Sequence, residues 1–156
     1  MQSEDVTVYL RRTLPDIESL SNIVGEIESG TFTIRGEGVN HGTVTPSANL
    51  CVRLRVTNKE KAEATVKRAE LEITIAGKTY RGVKMSLCGP REGADLLTQI
   101  TNKNPIRQGV ATIGALEFWI EGLKCPDHVI EADASVVLTD EFNTPHVIRN
   151  KTLRIA

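Results

Sequence analysis

The sequence has few aromatic residues, no long apolar run and an odd number of cysteines. One Trp, two Tyr and three Phe are a thin supply for the aromatic platforms that carbohydrate-binding domains usually present. No run of about 18 apolar residues occurs, so the sequence encodes no transmembrane helix, and its polar start lacks the features of a signal peptide. We therefore expect no direct insertion into a membrane.

The three cysteines, Cys51, Cys88 and Cys125, are scattered along the chain. An odd and scattered set makes a poor disulfide framework for a secreted domain. This favours a reducing compartment, in which all three thiols would stay reduced. We expect a cytoplasmic protein.

The charges nearly balance, since 19 Lys and Arg face 20 Asp and Glu. No overall basic field exists to attract phosphate backbones, so nucleic acid is not an expected partner. The distribution is uneven, however: residues 1–30 contain two Arg and six acidic residues, whereas residues 31–156 contain 17 basic and 14 acidic residues. An acidic N-terminal segment thus precedes a mildly basic body.

Apolar and polar residues alternate in several segments of the body, which predicts strands buried on one face. No convincing helix-period stretch separates these segments, so the pattern favours an antiparallel sandwich or barrel of seven or eight strands. The predicted core comprises Val52, Leu54, Val56, Leu71, Ile73, Leu116, Phe118, Ile120, Val136 and Leu138.

The segment 13–30, TLPDIESLSNIVGEIESG, predicts a different element. Thr13 can cap a helix, Pro15 suits its first turn and Gly30 can end it. Its apolar stripe consists of Ile17, Leu20, Val24 and Ile27. The stripe needs a cover, which could be the chain's own β domain, a second copy or the groove of a partner. We therefore divide the chain into an acidic helical segment, 1–30, and a β domain, 31–156.

Three stretches carry a resemblance to a known class of domain. They are LCVRLRVTNKEKAEATVKRAELEITIAG, which begins at Leu50, GALEFWIEGL at 114–123, and LTDEFNTPH at 138–146. Together they resemble immunoglobulin-like sandwiches of microbial proteins of unassigned function, and more distantly the halves of arrestin-like proteins. The resemblance covers about residues 31–156. It implies an antiparallel immunoglobulin-like β-sandwich after an N-terminal α-helix, and an interaction or structural module with no catalytic residues to transfer.

The only tryptophan, Trp119, lies on what should be the polar face of its strand. Because successive side chains of a strand point to opposite faces, Trp119 falls between Glu117 and Glu121, opposite to the core residues Phe118 and Ile120. We expect Trp119 to form a second hydrophobic layer with the N-terminal stripe, from the same chain or from a neighbour, or to anchor another molecule. The candidate interaction residues are Trp119, Ile17, Leu20, Val24 and Ile27.

Patterns that would carry chemistry are weak. Cys125 and His128 form half of a zinc knuckle, with Cys88, His41 and His146 as remote ligands. Asp127 with His128, or Asp140 with His146, could belong to a hydrolytic triad, but no nucleophile motif and no phosphate-binding glycine loop accompanies them. We therefore predict no catalytic residue, no metal and no cofactor.

The function predicted from the sequence is non-catalytic protein–protein interaction or a structural role. The partner would be another protein or a second copy, bound through the N-terminal helix or the Trp119 face. A small-ligand or carbohydrate-binding module is the alternative, and a metal-dependent hydrolase comes third.

Overall fold

A computed structural model describes residues 22–33, 46–60, 63–85, 95–100 and 105–156. This part of the chain is mainly β and includes a single helical turn, α1, at Leu96–Gln99. The strands are β1 Ile23–Thr33, β2 Ser47–Asn58, β3 Val66–Ile75, β4 Lys78–Met85, β5 Thr112–Glu121, β6 Ile130–Asp140 and β7 Pro145–Ile155.

The strands form one closed barrel in the order β1-β2-β5-β4-β3-β6-β7. The predicted immunoglobulin-like sandwich is therefore wrong. A sandwich consists of two separate sheets, whereas in this protein β3 pairs with β4 and β1 pairs with β7, so the strands form a single ring. Alternating segments predict half-buried strands in either architecture, because the inner faces of sandwiches and small barrels are both apolar.

The ring closes between β1 and β7. Gly30 of β1 lies opposite Ile155 of β7, and this pairing is parallel, unlike the other pairings of the ring. The amide of Phe32 donates to the Ala156 carbonyl at 3.0 Å, and the amide of Ala156 donates to the Gly30 carbonyl at 3.3 Å. A Cβ atom on Gly30 would lie 3.2 Å from Leu153 Cδ2, so the glycine allows β1 to approach β7 closely.

The predicted N-terminal helix is also wrong where the structure describes it. Residues 23–30 of the segment 13–30 belong to strand β1. Ile23 and Ile27 are both buried in the barrel core. The predicted helical stripe contained Val24 and Ile27, which are three residues apart, whereas the buried face of β1 contains Ile23 and Ile27, whose spacing of four residues fits one face of a strand.

The predicted core is confirmed, because all ten residues assigned to it are at most 2% exposed. Phe118 is among the largest of the completely buried side chains. It faces β4 at Gly82, where an added Cβ would lie 3.0 Å from both Phe118 Cβ and Leu71 Cδ2. Gly82 thus leaves the space that the side chains of Phe118 and Leu71 fill.

An ion pair fixes the chain where β4 ends. Lys84 Nζ lies 2.8 Å from Asp95 Oδ2, and the Asp95 side chain is only 6% exposed. Asp95 also bridges to Ala115 of β5, and its Oδ1 accepts the Leu97 amide at 2.9 Å. Asp95 therefore continues the barrel wall next to β5, and Leu96 is buried in the core.

Phe118→Ala should lower the free energy of unfolding by about 3–5 kcal/mol, through lost apolar burial and the cavity that remains. Phe142→Ala is the matched control, because Phe142 is 79% exposed and its truncation should change stability by less than about 0.5 kcal/mol. Urea unfolding of both variants measures the difference. Equal midpoints would contradict the assignment of Phe118 to the core.

Candidate functional site

Two apolar side chains lie side by side on the outside of the barrel. Trp119 of β5 is directly opposite Val83 of β4, and they are 38% and 64% exposed. The neighbours of Trp119 along the strand, Phe118 and Ile120, are completely buried. The alternation of β5 thus places Trp119 outward, as its sequence predicts, whereas Glu117, which was predicted to share this polar face, is buried at 1% exposure. This outward pair is the centre of what we call the Trp119 face.

The Trp119 face borders a groove of about 480 Å³ at the start of β4 and the end of β5. In the groove, Lys78 Nζ lies 5.1 Å from the centre of the Tyr80 ring, within the range of a cation–π contact. The lining combines aromatic, apolar and charged groups: Lys78, Thr79, Tyr80, Arg81, Val83, Trp119, Glu121 and Gly122.

Arg81 and Glu121 lie next to the apolar pair, both on the same side of it along the strands. Gly82 is opposite Ile120, so continuing this antiparallel register by one residue places Arg81 opposite Glu121. On its other side Arg81 is opposite Glu72 of β3. Even so, the Arg81 side chain forms no ion pair with any residue that the structure describes, whereas Arg53, Arg55, Arg68, Arg107 and Arg149 each form one.

The stripe residues do not join Trp119 where they are described. Ile27 is 3% exposed and belongs to the barrel core, so it cannot cover an outward side chain. Val24 is opposite Thr57, whereas Trp119 is opposite Asn49, near the other end of the same strand β2. Ile17 and Leu20 lie outside the described residues.

The structure brings together one of the two acid–histidine pairs in a buried position. At the β6–β7 turn, Asp140 Oδ2 lies 2.8 Å from His146 Nε2, while Oδ1 accepts the amides of Phe142 and Thr144. Burial raises the pKa of Asp140, but the hydrogen bonds from His146, Thr144 and Phe142 outweigh it and leave that pKa below its usual value. The arrangement holds the turn in place.

A small cleft of about 200 Å³ lies beside this turn. Its rim includes Glu60, Glu63 and Glu141, and no lysine or arginine lines it. Glu63 lies 3.5 Å from Arg107 outside the cleft, and Glu141 accepts a hydrogen bond from Thr65. The carboxylates of Glu63 and Glu141 therefore have partners within the protein, and the cleft alone does not define a ligand.

The zinc half-knuckle does not gather further ligands among the residues described. His128 bonds to Asp127 at 2.9 Å on an exposed loop, and this hydrogen bond lowers the Asp127 pKa. No group of three His, Cys, Asp or Glu suited to a metal ion occurs in the described ranges. Cys88 and His41 lie outside them. Within the same ranges, no helix is both long and apolar enough to cross a membrane.

No family model and no curated protein matches this chain. The site is therefore defined by its own geometry. Sequence reasoning found Trp119 but missed Val83 and Arg81. Val83 and Arg81 could have been found from the alternation of the β4 sequence KTYRGVKM, which places the two residues on one face. That this face is the one next to Trp119 becomes clear only once the register of β4 with β5 is known.

Asp140→Asn should lower the free energy of unfolding at neutral pH by about 1–3 kcal/mol, because it removes a charged acceptor from several hydrogen bonds. The pKa of Asp140 in the folded protein lies below its ordinary value. The ionised Asp140 carboxylate therefore stabilises the fold at pH values above the pKa of Asp140 in the unfolded chain, and this stabilisation is lost as the pH falls through the lower pKa of the folded protein. Urea unfolding of both proteins between neutral pH and about pH 3 measures this. The difference in unfolding free energy between wild type and variant should shrink below about pH 4. A difference that stays constant over the whole pH range would contradict the stabilising role of the ionised carboxylate.

Proposed function

We propose that the protein is a non-catalytic protein–protein interaction module and that it binds through the Trp119 face. The observation that supports this most is the pairing of exposed Trp119 with exposed Val83 on adjacent strands. Tryptophan is enriched among the residues that dominate binding energy at interfaces. The odd number of cysteines further supports a cytoplasmic location.

The surroundings of the pair support the same function. Arg81 and Glu121 place opposite charges next to the apolar centre, and this combination of an apolar centre with a polar rim is typical of protein interfaces. Phe142 is more exposed than Trp119, but it lies on the β6–β7 turn, and single exposed apolar residues are ordinary on protein surfaces.

The groove also supports a second candidate function, the binding of a small ligand or carbohydrate. It brings Trp119 together with Thr79, Arg81 and Glu121, and Tyr80, which also packs against the core, contributes to the same lining. Ligand pockets combine apolar walls with a few polar groups that orient the ligand. The two functions predict occupants of different size at the same place.

Site-specific photo-crosslinking tests the interaction function. A photoreactive amino acid at position 83, in the intact protein in its native cells, should form a covalent adduct with a polypeptide. The matched control is position 110, because Val110 is 58% exposed, much like Val83, but precedes the opposite end of β5 from Trp119. Trp119→Ser should abolish the adduct at position 83. Equal adducts at both positions, or none at position 83, would contradict the proposal.

Fluorescence tests the small-ligand function, because Trp119 is the only tryptophan and reports on its own surroundings. Titration with a panel of neutral and acidic oligosaccharides should quench or shift its emission if a sugar ring stacks on the indole. Tyr80→Ala should weaken such binding, whereas Phe142→Ala should not. An emission spectrum unaffected by the whole panel would contradict the sugar reading and leave the interaction function intact.

A further inference from the structure

We propose that the partner at the Trp119 face is a second copy of this chain, bound face to face across a twofold axis. This inference rests on the proposed interaction function and names its partner. The symmetry of such a dimer requires one surface to be complementary to itself. The Trp119 face meets that condition in both its apolar centre and its charges.

The register of β4 and β5 defines the axis. The proposed twofold axis lies in the plane between the two copies, parallel to the strands and above the line midway between β4 and β5. It places each residue of β4 in one copy over the residue of β5 in the second copy that is its partner in the sheet. Val83 of one copy then packs on Trp119 of the second copy, since these two residues are opposite each other in the sheet. Two sheets packed in this aligned way lie about 10 Å apart, which such side chains can fill.

The same operation pairs the charges. Arg81 of one copy faces Glu121 of the second, and the reverse contact forms on the other side of the axis. Both side chains are available, because neither forms an ion pair within the described part of the chain. A peptide of uniform charge fits the face less well: an acidic one meets Glu72 and Glu121, and a basic one meets Arg81. Because Arg81 and Glu121 are opposite each other across the proposed axis, the charges of this face are complementary to those of a second copy of the same face.

Charge-swap variants of the purified 156-residue chain test this inference. The chain has a mass of 17.1 kDa, so wild type should sediment as a species of about 34 kDa that dissociates on dilution. Arg81→Glu places two acids opposite each other in the dimer, and Glu121→Arg places two bases there. Each should raise the dissociation constant by about tenfold or more.

Mixing the two variants gives the decisive result. Equal amounts of the Arg81→Glu and Glu121→Arg chains should form a heterodimer close to wild type in stability, because every charge then meets its opposite. Arg154→Glu, on an exposed arginine of β7, is the control and should leave the dimer unchanged. Circular dichroism on each variant confirms that the barrel is folded.

A monomeric wild type at every concentration, or a mixture that does not recover, would overturn the second-copy inference. The crosslink at position 83 separates this failure from that of the proposed function. An adduct with a different polypeptide, formed by a protein that is monomeric when pure, would retain the interaction function and refute only the identity of the partner.

Discussion

The parallel pairing of β1 with β7 is the contact on which the rest of the fold depends. Seven strands that alternate in direction around a ring must include one parallel pair, because an odd number cannot alternate throughout. That pair occurs at Gly30 and Ile155, and the Asn150 side chain adds a hydrogen bond to the Ile27 carbonyl at 3.1 Å. Without it, β1 and β7 would be two open edges and the inner side chains of both strands would meet water.

Closure also determines how the protein can bind. An open sheet can bind a partner by pairing its edge strand with a strand of the partner, but the described strands form a ring in which each has two neighbours. Recognition must therefore use the outer faces, the barrel ends or the loops. The outer side of β4 and β5 is where two exposed apolar side chains lie opposite each other, which is why the proposed site lies there.

The sequence predicted the strand faces well and the architecture poorly. The alternation of Val52, Leu54 and Val56 reports which side is buried, and the barrel confirms it. Alternation contains no information about which strands are neighbours, so it could not distinguish a ring from two sheets. The strand β1 was misread for a related reason: the sequence pattern grouped Val24 with Ile27, whereas the long-range pairing of β1 with β2 and β7 buries Ile23 and Ile27 on one face.

The predictability of the site has the same limit. Trp119 is visible in the sequence as an apolar residue on a polar face, but Val83 becomes significant only through the register of β4 with β5. The core maintains that register. Gly82 leaves the space that Phe118 and Leu71 fill, so a slip of β4 by one residue would place a side chain in that space and turn Val83 inward, away from Trp119. The contact that buries Phe118 is thus the one that exposes Trp119 beside Val83, and a variant that loosens the core at Gly82 would alter the binding face without touching it.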